Sequence, residues 1–302
     1  MINWTGVFPA VTTKLKADGS LDLDATRRSV DRLVVNGVSA VIMLPMLGEN
    51  ASLRADEREA VIEAARDVVA GRVPVLTGLA DLSEDAAAAA ARDYRRMGVD
   101  GLMVFPSLAY RTDPRETVAW YRAVGAASDL PIMIYNNPLA YRVDVGPDEL
   151  EALADVDTIM CVKEECGDPR RITDIYNRVG DRYAVFCGID DLIVESVAVG
   201  AVGWVSGMTN VWPAECVALF EMCKADRYAE ARALYRLLMP AFHLDTSVKL
   251  VQYIKFAEHL VYGAPEHVRR PRLDLVGEER AEVEAVVKAA IVALTQRAAE
   301  AA

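Results

Sequence analysis

Thr158-Ile159-Met160-Cys161-Val162-Lys163-Glu164-Glu165-Cys166-Gly167-Asp168 opens as a short apolar run and then turns abruptly charged. The run Ile159 to Val162 shows no alternation. It reads as a strand buried on both faces, as in a parallel sheet with helices outside. Lys163 stands where that strand ends. In a parallel barrel, the C-terminal ends of the strands carry the chemistry. A lysine held against apolar walls loses hydration, its pKa falls, and its neutral amine can attack a carbonyl. Read alone, the stretch also fits a solvated lysine that opens a loop.

Seven further runs of the same kind begin near Val7 (VFPAVT), Ala40 (AVIMLP), Val73 (VPVLTGL), Gly101 (GLMVFP), Pro131 (PIMIYN), Ala184 (AVFCG) and Ala201 (AVGWVS). Between and after the eight runs lie helix-like segments at 23–35, 56–70, 83–97, 114–127, 147–154, 169–179, 191–199 and 213–223. Ser83 and the prolines 114, 147, 169 and 213 mark first-turn positions. Gly37, Gly98 and Gly200 each end a helix and lead into a strand, so NGVSAVIML, MGVDGLMVF and VGAVGWVS read as one repeated junction. Eightfold alternation of strand and helix predicts an α/β fold, a (β/α)8 TIM barrel. A doubly wound open sheet is the alternative. It usually carries a Gly-rich phosphate loop after its first strand, and neither GxGxxG nor GxxxxGK[ST] occurs in this chain.

After Cys223 the rhythm changes. Segments 226–238, 247–262 and 278–302 read as helices with no strand between them. The expected division is therefore a barrel over 1–224 and a C-terminal helical extension over 225–302. The 302 residues are 53% hydrophobic and 26% charged, enough for one large barrel with a sizeable core. The net charge of −12 argues against nucleic acid and anionic membranes as partners. No apolar run is long enough to span a bilayer. The start, Met1-Ile2-Asn3-Trp4-Thr5, lacks a signal-peptide profile, so a cytoplasmic location is expected. The five cysteines form no CxxC pair and read as reduced thiols. Cys166, beside Lys163, is the one to watch, although a core or loop thiol is the plainer reading.

His243, His259 and His267 all fall in the extension, which counts against a zinc site built at strand ends. A magnesium site of carboxylates stays open through Glu49, Glu164, Glu165, Asp190 and Asp191. These acids equally suit loops and helix N-termini. Proton transfer then falls to Tyr, Lys, Glu or Asp. Tyr135 ends the strand before that of Lys163, and neighbouring strands lie about 5 Å apart, so phenol and amine can share the barrel mouth. Asn136-Asn137-Pro138 is expected to be a tight turn that sets Tyr135 at the rim. Gly48, in the loop Pro45-Met46-Leu47-Gly48-Glu49-Asn50, can offer an exposed backbone N–H to an anion, or serve only as a turn.

Taken together, GVFPAVTT, PMLGEN, RVPVLTGLA, GVDGLMVFP, PIMIYNNP, CVKEECGD, FCGIDD and GAVGWVSGMTN resemble, in order and spacing, the dihydrodipicolinate synthase / N-acetylneuraminate lyase family over essentially the whole chain. The resemblance implies a (β/α)8 barrel with a helical extension, a homotetramer built from dimers, and a class I mechanism with no metal or other cofactor. It implies that Lys163 forms a Schiff base with a small 2-oxo acid. It implies also that Tyr135 relays protons, and that Gly188 and the backbone around Val205 line the pocket. A protonated imine is a strong electron sink, from which aldol cleavage or addition, dehydration and deamination can all start.

Three departures bear on substrate. The hydroxyl pair that usually precedes GE and binds the substrate carboxylate is replaced by Met46 and Leu47, neither of which donates a hydrogen bond. The backbone N–H groups of Leu47 and Gly48 remain for that role. The synthase's arginine after YNxP aligns with Ala140, with Arg142 two residues on. Its tyrosine pair after the fourth strand is replaced by Ser107 and Leu108, with Tyr110 displaced. Arg142 and Tyr110 are carried as candidate substrate-binding residues. Within the family, NWTGVFPAVTT, YNNP, DDLIVESVAVGAVGWVSGMTN and LMPAFHLD are most similar to the deaminases of 1-pyrroline-4-hydroxy-2-carboxylate. That implies attack by Lys163 on the ring imine carbon, loss of water, and release of ammonia and 2,5-dioxopentanoate. An aldolase or dehydratase of 2-oxo-3-deoxy sugar acids, a non-catalytic 2-oxo-acid-binding homologue and a magnesium-dependent lyase are the alternatives.

Overall fold

The computed structural model describes residues 4–301. Met1, Ile2, Asn3 and Ala302 lie outside them, and with them the start of the opening motif and the last residue of the expected closing helix. Eight parallel strands form one sheet: β1 (Gly6–Pro9), β2 (Val41–Met43), β3 (Val75–Leu79), β4 (Gly101–Val104), β5 (Ile132–Asn136), β6 (Ile159–Glu164), β7 (Ala184–Cys187) and β8 (Gly203–Ser206). Their order is β1-β8-β7-β6-β5-β4-β3-β2. A parallel bridge between Ala10 and Ile42, with the Val11 N–H donating to the Ile42 carbonyl at 3.0 Å, brings the two ends together. The result is the expected (β/α)8 barrel.

Almost every strand residue is buried, which is why the strands read as unbroken apolar runs. Phe8 of β1 meets Phe186 of β7 with ring centroids 4.9 Å apart. Gly203 of β8 makes room for that ring, since a Cβ there would overlap it. Helix starts follow local chemistry. Asp113 accepts from the Glu116 N–H at 2.9 Å while the Glu116 carboxylate accepts from the Asp113 N–H at 3.0 Å, a reciprocal cap just before Pro114. Gly98 closes its helix at φ +75°, a conformation open to glycine, and hands the chain directly to β4.

Three local expectations need correction. Asn136-Asn137-Pro138 is not merely a turn. The Asn137 side chain accepts from the Ala140 N–H at 2.8 Å and caps a one-turn helix, Pro138–Tyr141. The first extension helix runs over Tyr228–Phe242, past the expected end at 238, and takes Pro240 into its last turn. The next helix starts at Leu250, three residues later than expected, because a 3₁₀ turn at His243–Thr246 intervenes. That turn carries Asp245 to the barrel mouth.

The extension is tied to the barrel by buried charge. Lys255 pairs with Glu49 at 2.8 Å and Glu258 with Lys14 at 2.5 Å, and all four side chains are fully buried. Glu49 follows β2 and Lys14 follows β1, so both bonds fasten the helix Leu250–Tyr262 to the C-terminal ends of the strands. Among the described residues no helix is long and apolar enough to cross a membrane.

Candidate active site

Tyr135 on β5 and Lys163 on β6 are register partners, and one residue on so are Asn136 and Glu164. Side chains at paired positions of neighbouring parallel strands point the same way. The Lys163 nitrogen accordingly lies over the Tyr135 ring, 4.0 Å from its centroid. The loop after Lys163 is pinned. The Glu165 N–H donates to the Asn136 carbonyl at 2.9 Å, and the Gly188 N–H to the Glu164 carbonyl at 2.9 Å. The buried Glu164 carboxylate accepts from Asn136 Nδ2 at 3.0 Å and from the Cys166 N–H at 2.8 Å. Gly188 is a matter of space, because a Cβ there would stand 2.8 Å from Lys163 Cε.

Lys163 is 6% exposed, so it faces inward, away from bulk solvent. Its surroundings are not simply apolar, however. The Glu165 carboxylate stands 2.7 Å from the amine, and this corrects the expectation of apolar walls alone around it. Ala10, Met46, Leu47, Gly188, Val205, Gly207 and Asp245 complete a narrow cavity of about 20 Å³, room for a single water. Met46, Glu165, Asp245 and Leu250 also line an adjoining cleft of about 360 Å³, and so form the partition between the two. A larger concavity of about 610 Å³ lies elsewhere, around Lys16 and Arg270. Its charges are largely paired with one another, as Arg269 is with Glu57 and His267 with Asp274, and neither Lys163 nor Tyr135 lines it.

The phenol of Tyr135 accepts from Asn137 Nδ2 at 3.1 Å. Burial pushes it well above its usual range and the Glu165 charge adds to that, so it holds its proton. Phe105, Tyr135 and Tyr141 pack edge to face, with centroids 4.9 to 5.7 Å apart. Burial also raises the Tyr141 phenol, with Tyr135 and Glu165 contributing. The Asp245 carboxyl lies against Gly207, where any Cβ would overlap it. Burial, followed by the charges of Asp190 and Glu165, holds Asp245 well above the carboxylate range. Asp190 is raised likewise by burial, although Trp204 Nε1 and the Met208 N–H donate to it at 2.9 and 2.7 Å.

The sequence-predicted residues thus divide. Lys163, Tyr135, Leu47, Gly188 and Val205 meet around one cavity. Gly48 is buried beside it, and its N–H is spent on the Pro45 carbonyl at 3.1 Å, which leaves the Leu47 N–H as the backbone donor without such a bond among the described residues. Tyr110 is 60% exposed and donates to Glu116. Arg142 is exposed in a left-handed conformation at the end of the one-turn helix. Neither lines the cavity or the cleft. Cys166 donates to the Asp168 carbonyl, and burial followed by the Glu164 charge raises its thiol to about 12, which suits a loop thiol. The five acids proposed for magnesium do not converge. Glu49 pairs with Lys255, Glu165 with Lys163 and Asp191 with His243, while Glu164 and Asp190 are taken up by the donors named above. No cluster of three or more metal-ligating side chains occurs among the described residues. Sequence reading missed Asp245, Gly207 and Tyr141. The first sits in a stretch that reads as a helix connector, and nothing in its composition distinguishes it.

The model of the dihydrodipicolinate synthetase family matches residues 3–290. The chain belongs to that family. A 4-hydroxy-tetrahydrodipicolinate synthase of Exiguobacterium sibiricum is 33% identical over 279 residues, covering 91% of this chain and 93% of the relative. One from Sphingopyxis alaskensis is 32% identical over 293 residues, covering 95% and 99%. Among solved structures, the synthase of Methylacidiphilum fumariolicum SolV superposes with TM-score 0.93 at 22% identity, over 97% of this chain and 98% of that one, which speaks to the fold. YagE of E. coli K12, a prophage protein of the same family seen in complex with pyruvate, superposes with TM-score 0.89 at 26% identity over 95% and 98%. Dihydrodipicolinate synthetase family members are class I lyases that work through a lysine Schiff base, and the chain is an enzyme of this class.

Proposed function

We propose that Lys163 is the Schiff-base lysine, and that the substrate is a small 2-oxo or cyclic 2-imino acid. The observation that carries this is the placement of a buried amine over a buried, protonated phenol at the C-terminal ends of two adjacent barrel strands. Attack of the amine on the keto or imino carbon gives an iminium. That iminium draws electrons from a neighbouring C–C or C–H bond, and the enamine so formed can expel a hydroxyl one carbon further on, the C–O pair leaving with the oxygen. Tyr135 supplies and recovers a proton beside that carbon. The Leu47 N–H takes the substrate carboxylate in place of the absent hydroxyl pair. Because the cavity holds only about 20 Å³, substrate enters as the partition of Met46, Glu165, Asp245 and Leu250 moves and widens it toward the outer cleft.

Within this reading, hydrolytic deamination of 1-pyrroline-4-hydroxy-2-carboxylate to 2,5-dioxopentanoate is the reaction we favour over the synthase reaction. Met46 and Leu47 offer no hydroxyl, Ala140 no guanidinium, and Tyr110 points to solvent and bonds Glu116. A site made this way lacks the anchors for a second, carboxylate-bearing substrate. Cleavage or dehydration of 2-oxo-3-deoxy sugar acids uses the same iminium and is the second reading. The division into a barrel over 1–224 and an extension over 225–302, a homotetrameric assembly and a cytoplasmic location belong to the same proposal.

Trapping tests it. Borohydride added with pyruvate should leave a carboxyethyl group on the peptide that contains Lys163, read by mass, and Lys163→Ala should abolish it. Absence of an adduct with every 2-oxo acid offered would overturn the assignment. Ammonia release across cyclic imines, set beside turnover of 2-oxo-3-deoxy sugar acids, then separates the two substrate readings.

A further inference from the structure

We propose that Glu165 is the acid–base catalyst of imine formation, taking a proton from the Lys163 ammonium before attack and returning it to the oxygen that leaves. This rests on the reading of Lys163 as the imine-forming residue, and it adds a catalytic residue to that reading.

The argument is one of elimination at short range. The Glu165 Oε2 stands 2.7 Å from Lys163 Nζ, within reach for direct proton transfer. That oxygen is buried and makes no hydrogen bond of good geometry to any described residue, and the other polar group beside this carboxylate is the Tyr135 phenol. The other groups around the nitrogen are otherwise committed. Tyr135 keeps its proton and is a donor with little power as a base. The Glu164 carboxylate is held by Asn136 and by the Cys166 N–H. Asp190 is held by Trp204 and the Met208 N–H. Asp245 is half-buried with its carboxyl against Gly207, where desolvation holds that carboxyl well above the carboxylate range. Met46 and Leu47 bring no exchangeable proton. An amine paired as an ammonium cannot attack until a proton leaves, and Glu165 is the acceptor that the fold places there. It also lines the outer cleft, so it meets the substrate at entry.

The steps balance. The Lys163 ammonium gives one proton to the Glu165 carboxylate, leaving a free amine and a carboxylic acid. The amine lone pair forms a C–N bond to the carbonyl carbon, and the carbonyl π pair moves to oxygen. A proton passes from nitrogen to that oxygen, giving a neutral carbinolamine. Glu165 protonates the hydroxyl, the C–O bond breaks, water leaves, and the nitrogen lone pair closes the iminium. The three protons of the ammonium end as two on water and one on the iminium. Glu165 is again a carboxylate, now the counter-ion of the iminium.

The test is the rate of borohydride trapping by pyruvate and the rate of carbonyl ¹⁸O wash-out from labelled pyruvate, in wild type, Glu165→Gln, Glu165→Ala and Lys163→Ala. General acid–base catalysis predicts a fall of about 100-fold or more in both rates for the Gln and Ala variants. Formate, which can enter the space left by Ala, should restore about tenfold or more of the Ala variant's rate and leave the Gln variant unmoved. Gln variant rates within about threefold of wild type would overturn the role of Glu165 while the Lys163 reading stands. An Ala variant indifferent to formate overturns it too, since a merely packed side chain is not replaced by a small acid. A wild type that neither traps nor exchanges pyruvate or any other 2-oxo acid removes the Lys163 reading and this proposal together.

Discussion

Tyr135 and Lys163 occupy paired positions on two adjacent parallel strands, and the lysine nitrogen stands 4.0 Å from the centroid of the tyrosine ring. The register fixes the pair without help from any loop. Tyr135→Phe keeps the ring, its edge-on packing against Phe105 and the contact with the amine, and removes only the hydroxyl. We expect the folded protein to be unchanged by circular dichroism and the pyruvate adduct to form still. Turnover of the true substrate should drop by about 100-fold or more, the usual worth of a positioned proton carrier. Loss of the adduct altogether would mean that the phenol holds the lysine in place and does not serve the later steps.

Two glycines set how much room the site has. A Cβ at Gly188 would come within 2.8 Å of Lys163 Cε, and within 3.0 Å of both the Glu164 carbonyl oxygen and Glu165 Cβ. The backbone atom cannot yield, so the lysine stem must. Gly188→Ala should therefore slow trapping by about tenfold or more, the scale on which small misplacements act at a reacting centre. Gly207→Ala acts from the other side, where it displaces the Asp245 carboxyl and pushes aside the partition between cavity and cleft. Its adduct should still form at Lys163, and mass spectrometry of the trapped peptide separates the two effects.

Much of this was readable in the chain itself, and the reasons are physical. A doubly buried strand must be apolar throughout, so Ile159–Val162 and its seven counterparts announce a parallel sheet. Helix ends are written in local chemistry, as at Asp113 with Pro114 and at Gly98, which is why those boundaries match. The pairing of Tyr135 with Lys163 follows because each ends its own strand. Contacts that join distant parts of the chain carry no such mark. Asp245 enters the mouth from a turn that looks like any connector, and the 2.7 Å approach of Glu165 to Lys163 depends on how the loop folds back onto Asn136. Tyr110 and Arg142 were read by offset from a resemblance, and the local backbone turns both outward.

The buried pair Glu49–Lys255 joins the helix Leu250–Tyr262 to the loop after β2, with neither side chain exposed and 2.8 Å between them. Removing one partner strands the other charge in a place water cannot reach, at a cost of about 3–5 kcal/mol. Lys255→Met should show that loss by denaturant titration. The double change Glu49→Leu with Lys255→Met should recover a good part of it, because two apolar side chains leave no orphaned charge. Arg269, whose N–H also donates to Glu49 at 2.7 Å, would lose a partner in the double variant, so recovery should be incomplete.

Glu57 and Arg269 hold a second link between barrel and extension, a two-pronged pair at 2.9 and 3.0 Å. The Arg269 guanidinium, followed in weight by the opposing effect of burial and then by the Arg54 backbone N–H, leaves the Glu57 carboxyl below its usual value. A carboxylate whose folded pKa is depressed binds fewer protons folded than unfolded. Its stabilisation is therefore complete above the ordinary glutamate range and is lost as pH falls through the depressed folded value. The urea midpoint of the wild type should thus fall between about pH 5 and pH 3, with Glu57 contributing to that slope. Arg269→Leu should lower the midpoint at pH 7 and flatten the acid slope, because Glu57 then titrates nearly alike in both states. An Arg269→Leu protein with the wild-type acid slope would show that the pair makes no net contribution in solution.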